Sequence, residues 1–130
     1  MNQTVIVVDP VSTGKCVVHE FIDQGFKVLA VVPELECRNP VCQDMLEACQ
    51  QVFSYSGDTQ KLVQEIEAAS DNIGVVTAGG ENGVELADEL AHHFGTLSNP
   101  PEMRLARRNK YNMGEAVRAG GVRAVEQSFA

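Results

Sequence analysis

Residues 5–32 read VIVVDPVSTGKCVVHEFIDQGFKVLAVV, and the order of apolar and polar positions in this stretch decides the fold. Thr4 to Val8 is a β-branched, almost wholly apolar run, the pattern of a strand covered on both faces. Asp9-Pro10 breaks it. Ser12 or Thr13 is placed to cap a helix running to about Gln24, with Val17, Val18, Phe21 and Ile22 on one face. Gly25 ends that helix, and Phe26 to Val32 forms a second apolar run closed by Pro33. A strand, a helix and a second strand joined by short turns make a parallel β-α-β unit.

The same alternation continues outward. Glu34 to Pro40 reads as a loop, and Pro40 is suited to open a short helix carrying Cys42, Met45, Leu46 and Cys49. Gln51 to Ser54 is a weak third strand. Asp58 or Thr59 caps a clearer helix, with Leu62, Val63, Ile66 and Ala69 at helical spacing. Asn72 to Thr77 is the fourth strand, Ala78 to Asn82 a turn, and Gly83 to Phe94 a helix. Asn99-Pro100-Pro101 is a rigid loop. A helical pattern then runs from Glu102 or Met103 to about Ala119, Gly120-Gly121 stops it, and Val122 to Gln127 reads as a final strand. The fold class implied is α/β: a Rossmann-like parallel sheet with helices on both faces and Val5 to Val8 in a central strand. In such sheets ligands sit beyond the carboxyl ends of the strands. Those ends are Asp9–Thr13, Pro33–Asn39, Ser54–Gly57 and Thr77–Gly83.

At 130 residues and 44% hydrophobic content, the chain is the size of one ordinary domain. Its apolar runs are too short for a membrane helix, which needs about 20 residues, and no secretory leader pattern opens it. A cytoplasmic protein without membrane contact is expected. The formal net charge of −8 argues against nucleic-acid binding, which draws on cationic patches. The charge is uneven, because six of the ten basic residues lie between 104 and 123: Arg104, Arg107, Arg108, Lys110, Arg118 and Arg123. This segment is either a solvated helix face or a docking place for a phosphate-bearing ligand. The four cysteines, Cys16, Cys37, Cys42 and Cys49, do not follow zinc-site spacing. Reduced thiols and no metal site are expected.

Asp9 to Cys16, DPVSTGKC, imitates a phosphate-binding P-loop through Gly14-Lys15. It lacks the first glycine, and Cys16 stands where a magnesium-binding Ser or Thr is needed. What remains is a strand end, a turn and a helix N-terminus. That turn is either structural or a substrate-facing loop, in which case Ser12 and Thr13 are the candidate contacts. Gly79-Gly80-Glu81-Asn82-Gly83 follows the fourth strand. Its glycines permit positive φ and close backbone approach. Glu81 either favours the positive end of the next helix or binds a substrate amine, with Gly80 beside it. His92 and His93 point about 100° apart on their helix and cannot share a metal from one face. Arg107-Arg108-Asn109-Lys110 is read as a helix start, where the dipole disfavours cations. Another reason for their clustering, such as a polyphosphate, is then expected.

Taken together, the segment from Gly80 to Gly95 resembles the G-x-E-x-G-V-x-L-A-D element of ATP-grasp enzymes related to amino-acid and peptide ligases. Arg108-Asn109-Lys110-Tyr111-Asn112-Met113, followed by Gly120-Gly121-Val122-Arg123-Ala124-Val125, resembles the junction by which the N-terminal domain of that superfamily leads into its catalytic domain. Residues 5–32 fit the superfamily's first β-α-β unit. The resemblance covers nearly all of the chain, but only the part that precedes the ATP-grasp fold. It implies a Rossmann-like domain over residues 1–101 and, over 102–130, a helix and strand leading toward an ATP-grasp domain. The chain is then the front piece of a carboxylate–amine ligase that uses ATP and magnesium and forms an acyl-phosphate. Its partner would be a C-terminal ATP-grasp domain, in cis or as a separate subunit, and its substrates a small carboxylate and an amine. By the same resemblance Lys110, as in biotin carboxylase-like members, reaches ATP, with Arg108 beside it. Glu81, Gly80, Ser12 and Thr13 would face substrate. Asn109 departs from the Asp of many relatives. The magnesium ligands and phosphate-covering loop lie outside these residues, so the chain alone is expected to be inactive and to bind no cofactor. Apolar surface left by a missing domain would favour a homodimer. The alternative is a stand-alone Rossmann-like metabolite-binding or regulatory module.

Overall fold

The computed structural model describes residues 3–33 and 43–128. Four strands, β1 (Thr4–Val8), β2 (Lys27–Pro33), β3 (Gln51–Tyr55) and β4 (Ile73–Ala78), form one sheet in the order β3-β2-β1-β4. All three pairings are parallel. The first β-α-β unit sets the register: Val5 lies opposite Val28, and Val8 opposite Val31. β1 is central, as its run of apolar residues requires, and every one of its five residues is buried.

Alternation along the strands divides the interior into two cores. Ile6, Val8, Leu29, Val31 and Phe53 face α3 (Thr59–Ala69) and α4 (Val84–His93), meeting Leu62, Ile66 and Leu90. Val5, Val7, Val28, Ala30 and Val32 face the opposite way, toward α1 (Gly14–Asp23) and α2 (Gln43–Ala48), meeting Val18, Met45 and Leu46. The chain is therefore doubly wound, with two helices on each face of a parallel sheet. Cys49 closes the second core. Its thiol donates to the Met45 carbonyl at 3.4 Å, and burial pushes its pKa up to about 11.

Local signals in the sequence account for most boundaries. Asp58 caps α3 by accepting a hydrogen bond from the Lys61 amide at 3.0 Å. Gly25, in the left-handed region at φ 87°, turns the chain from α1 into β2. Thr13 occupies the N-cap position of α1, but no side chain caps that helix. The expected loop over Glu34–Pro40 and the helix opening at Pro40 with Cys42 lie outside the described residues.

Two expectations for the C-terminal segment need correction. The single helix from residue 102 or 103 to 119 is three pieces: a 3-10 turn at Pro101–Met103, α5 (Arg104–Arg108) and α6 (Lys110–Ala119). Asn109 breaks the run. Its backbone is extended, and its side chain accepts from the Asn112 amide at 3.0 Å, starting a new helix. An Asn side chain competes with the helical backbone for amide hydrogens, which is why this residue type caps better than it continues. The final strand over Val122–Gln127 is not formed among the described residues. That segment instead lies back on α6. Gln127 donates to the Tyr111 carbonyl at 3.0 Å, and Arg118 donates to the Val125 carbonyl at 2.9 Å.

The loops after β1 and β4 meet at the carboxyl edge of the sheet. A Cβ on Gly14 would fall against the Gly79 carbonyl, 2.7 Å from its carbon. Gly14→Ala is therefore expected to destabilise the fold by ~1–3 kcal/mol, read as a lower urea midpoint at unchanged slope. A second check lies in the thiols. Below pH 9, burial leaves Cys49 with a thiolate fraction ~100-fold below that of an ordinary cysteine. Exposed Cys16 should accordingly alkylate first, with Cys49 labelled only on unfolding or as pH rises toward 11.

Candidate functional site

In the order β3-β2-β1-β4 the winding direction reverses between β1 and β4. The crevice beyond the carboxyl ends of those two strands is where open α/β sheets take their ligands. Here it is bounded by the β1–α1 loop, Asp9 to Thr13, and by the β4–α4 loop, Gly79 to Gly83.

Glycines let the two loops approach. Besides Gly14 against Gly79, a Cβ on Gly79 would lie 2.7 Å from the Pro10 Cα, one on Gly80 2.8 Å from the Asp9 carbonyl oxygen, and one on Gly83 2.6 Å from the Val8 carbonyl oxygen. None of Gly79, Gly80 and Gly83 has positive φ. Of the two reasons the sequence offered for these glycines, close approach is the one the structure uses. Positive φ falls instead on Asp9 and Ser12, both at 56°, a conformation uncommon outside glycine.

All six sequence-predicted site residues lie in these loops or on the helix junction beside them. Gly80 packs on Asp9. Ser12 and Thr13 are exposed on the facing loop. Glu81 and Arg108, 27 residues apart in the chain, meet directly. The Arg108 guanidinium donates to the Glu81 carbonyl at 2.5 Å and lies 3.4 Å from its carboxylate, and it also reaches the Asn82 side-chain oxygen at 3.3 Å. Arg108 thereby ties the α5–α6 junction to the β4–α4 loop. Lys110, two residues further on, is exposed in the first turn of α6.

The basic cluster divides on inspection. Arg104 pairs with Glu89 at 3.5 Å, Arg107 forms a short ion pair with Asp88, and Arg118 pairs with Glu115 at 3.6 Å. Arg107 and Arg108 lie in the last turn of α5 rather than at a helix start, so the dipole favours them there. The argument that their position demands a polyphosphate loses its premise. Acidic residues of α4 and the preceding turn account for Arg104, Arg107 and Arg108. Lys110 forms no ion pair among the described residues, and it sits at a helix start where a cation is disfavoured.

His93 accepts or donates at 3.0 Å to Glu67 and stacks edge-on against Phe94, joining α4 to α3. No group of three or more His, Cys, Asp or Glu suited to a metal is found among the described residues. No described helix is long and apolar enough to cross a membrane. Between α5 and α6, Met103, Ala106, Met113, Ala116 and Val117 line an apolar hollow of about 410 Å³.

The sequence placed Asp9 at the ligand-side end of β1 but did not mark it as a candidate site residue. It is 2% exposed, and its Oδ1 is buried with no hydrogen-bond partner among the described residues. The available signal was its place, an acidic residue directly after a fully apolar central strand. Asp88 was missed too. Its Oδ2 is likewise buried without a partner among the described residues, while its other oxygen holds Arg107.

A four-stranded parallel sheet with this crevice defines a class, and the chain resembles the N-terminal domain of ATP-grasp ligases. It is 29% identical over 134 residues to dapdiamide A synthase of Enterobacter agglomerans, an alignment covering 99% of this chain and 31% of that protein. The fold matches an L-amino acid ligase from Bacillus licheniformis with a TM-score of 0.70 at 15% identity, over 98% of this chain and 36% of that one. It also matches phosphoribosylglycinamide synthetase from Anaerococcus prevotii with a TM-score of 0.68 at 14% identity, over 93% of this chain and 30% of that one. No protein-family model matches the chain. It thus spans about a third of the length of the proteins it is similar to.

The Asp88–Arg107 pair is only partly exposed, whereas Arg104–Glu89 is open to solvent on both sides. Arg107→Ala would leave the buried Asp88 carboxylate uncompensated and should destabilise by ~1–3 kcal/mol. Arg104→Ala should stay within ~0.5 kcal/mol. Chemical denaturation of both variants checks the ranking, and equal losses would refute it.

Proposed function

We propose that this chain is the N-terminal substrate-cleft domain of an ATP-dependent carboxylate–amine ligase. The observation that carries the reading is the alignment to dapdiamide A synthase across 99% of the chain, supported by the shared fold of an L-amino acid ligase. In this reading residues 1–101 are the cleft domain and 102–130 lead toward the ATP-grasp part, which belongs in cis or as a separate subunit. The complete enzyme would use ATP and magnesium to form an acyl-phosphate from a small carboxylate, and an amine would then displace the phosphate. Metal and phosphate electrostatics carry most of the support in such phosphoryl transfer.

The cleft wall would be the paired loops, with Ser12, Thr13, Gly80 and Glu81 toward substrate. Glu81 is held by Arg108, so Arg108 fixes the position of the loop, and any contact it makes with nucleotide is secondary to that pairing. Lys110 is the cation available for nucleotide, because its neighbours Arg107 and Arg108 are already engaged. The apolar hollow between α5 and α6, together with exposed Leu105, Val122 and Val125, is a surface that the remainder of the ligase would cover.

The test is titration of ATP into the complete ligase and into its Lys110→Ala variant, after both are shown to fold alike. A charged hydrogen bond is worth roughly 1.5–3 kcal/mol, so the variant should bind ATP about 10- to 150-fold more weakly. Equal dissociation constants would reduce Lys110 to a solvated surface lysine.

A further inference from the structure

The segment from Met103 to Ala119 has a continuous helical pattern, yet its helix stops and restarts at one residue. Asn109 is extended, with ψ 118°, and its side chain accepts the Asn112 amide at 3.0 Å. Its own amide donates to the Leu105 carbonyl at 2.9 Å, closing α5, and its carbonyl accepts from the Met113 amide at 2.8 Å, opening α6. The corner is sharp. Met103 and Val117 line the same hollow, whereas an unbroken helix would hold these two positions about 21 Å apart. Asn109 is exposed, so core packing does not account for the corner.

The two helices joined there are held differently. Arg104 with Glu89, Arg107 with Asp88, and Arg108 with Glu81 and Asn82 fasten α5 to the body. In α6 no residue is buried, and its ion pair, Arg118 with Glu115, is internal. The placement of α6 therefore depends on the corner. Lys110 is the first residue beyond it. In an unbroken helix Lys110 would lie about 200° round the axis from Arg108, on the side away from the loop that Arg108 holds. The break at Asn109 releases it from that direction.

We propose that Asn109 is a positioning residue for nucleotide: its side-chain cap keeps α6 a separate helix and so sets where Lys110 presents its charge. This rests on the ligase reading for Lys110 and adds the residue that orients it. Alanine at this position would remove the cap and favour an unbroken helix, because alanine is the best helix former and asparagine competes with the helical backbone. The bent form then loses population, and apparent affinity falls with the competent fraction. Serine caps about as well as asparagine, so Asn109→Ser retains the corner.

The test titrates ATP into the complete ligase and into its Asn109→Ala, Asn109→Ser, Lys110→Ala and Asn109→Ala/Lys110→Ala variants. Backbone 13Cα shifts of the labelled chain report the conformation of residue 109. Asn109→Ala should bind ATP about 2- to 30-fold more weakly, the factor that corresponds to a lost cap, and residue 109 should move to helical shifts. Asn109→Ser should stay extended and bind within about twofold of the unaltered protein. With Lys110 already removed, Asn109→Ala should cost nothing further, because the cap acts through the lysine. Unchanged affinity in Asn109→Ala, or failure of Asn109→Ser to preserve it, would overturn the proposal. So would an equal loss with and without Lys110, which would make Asn109 a cap for stability alone. A weakened Lys110→Ala beside an unaffected Asn109→Ala would remove only the role of Asn109. Lys110→Ala binding as tightly as the unaltered ligase would remove the nucleotide reading of Lys110, and this proposal with it.

Discussion

The structure depends on one close approach, that of the loops following β1 and β4. Their backbones lie nearer than side chains allow. Gly14 meets the Gly79 carbonyl, and Gly83 sits under the Val8 carbonyl. Parallel strands end in helix-bound turns, and where the winding reverses two such turns face each other with nothing between them. In open α/β sheets that meeting point is a crevice. Here four glycines close it, and the Gly79 amide donates to the Val8 carbonyl at 2.7 Å. The exposed ends of the two loops, Ser12–Thr13 and Glu81–Asn82, then become the lips of one crevice. Its floor is Asp9.

The second organising feature is electrostatic and gathers the C-terminal segment onto this crevice. An acidic chain with a basic segment near its end suggests a ligand-binding patch, but four of those cations, Arg104, Arg107, Arg108 and Arg118, are spent on acidic partners. Arg104 and Arg107 fasten α5 to α4, and Arg108 reaches past them to the β4–α4 loop. Solvent screening leaves the Arg104 pair little to contribute. The Arg107–Asp88 pair matters more, because a half-buried carboxylate without it would be left uncompensated. The helix break at Asn109 follows immediately, so Lys110 begins a new helix with no anionic partner among the described residues.

The sheet was legible in the sequence because its signal is redundant. The continuous apolar character of Val5–Val8 and Val28–Val32, Gly25, and the Asp58 cap all point to one doubly wound arrangement, and local and global preferences agree. The C-terminal segment was less legible for a physical reason. Helical periodicity across Met103–Ala119 is continuous as a pattern, so it hides a break that depends on one side chain, Asn109, choosing its own backbone partner. The Val122–Val125 run has strand composition, but composition does not supply a neighbouring strand. Among the described residues it lies on α6, held by Gln127 and Arg118. The site was legible as loops and not as contacts. Glu81, Gly80, Ser12 and Thr13 follow from strand ends, whereas the Glu81–Arg108 pair joins residues 27 apart and needs the fold to bring them together.

Asp9 shows where local rules fail in an informative way. A left-handed backbone at a non-glycine residue is unfavourable, and so is a buried oxygen with no partner. Two such penalties at one position persist only if the surroundings over-determine it. They do: β1 is pinned on both faces by core side chains, the Asp9 amide donates to the Val31 carbonyl at 2.7 Å, and the β4–α4 loop closes over the carboxyl group. The rigidity that makes the strain tolerable is the same rigidity that keeps the carboxyl group buried. A flexible loop would let Asp9 turn outward and hydrate, removing both penalties at once. The sheet forbids that, so Oδ1 stays buried and, among the described residues, without a partner.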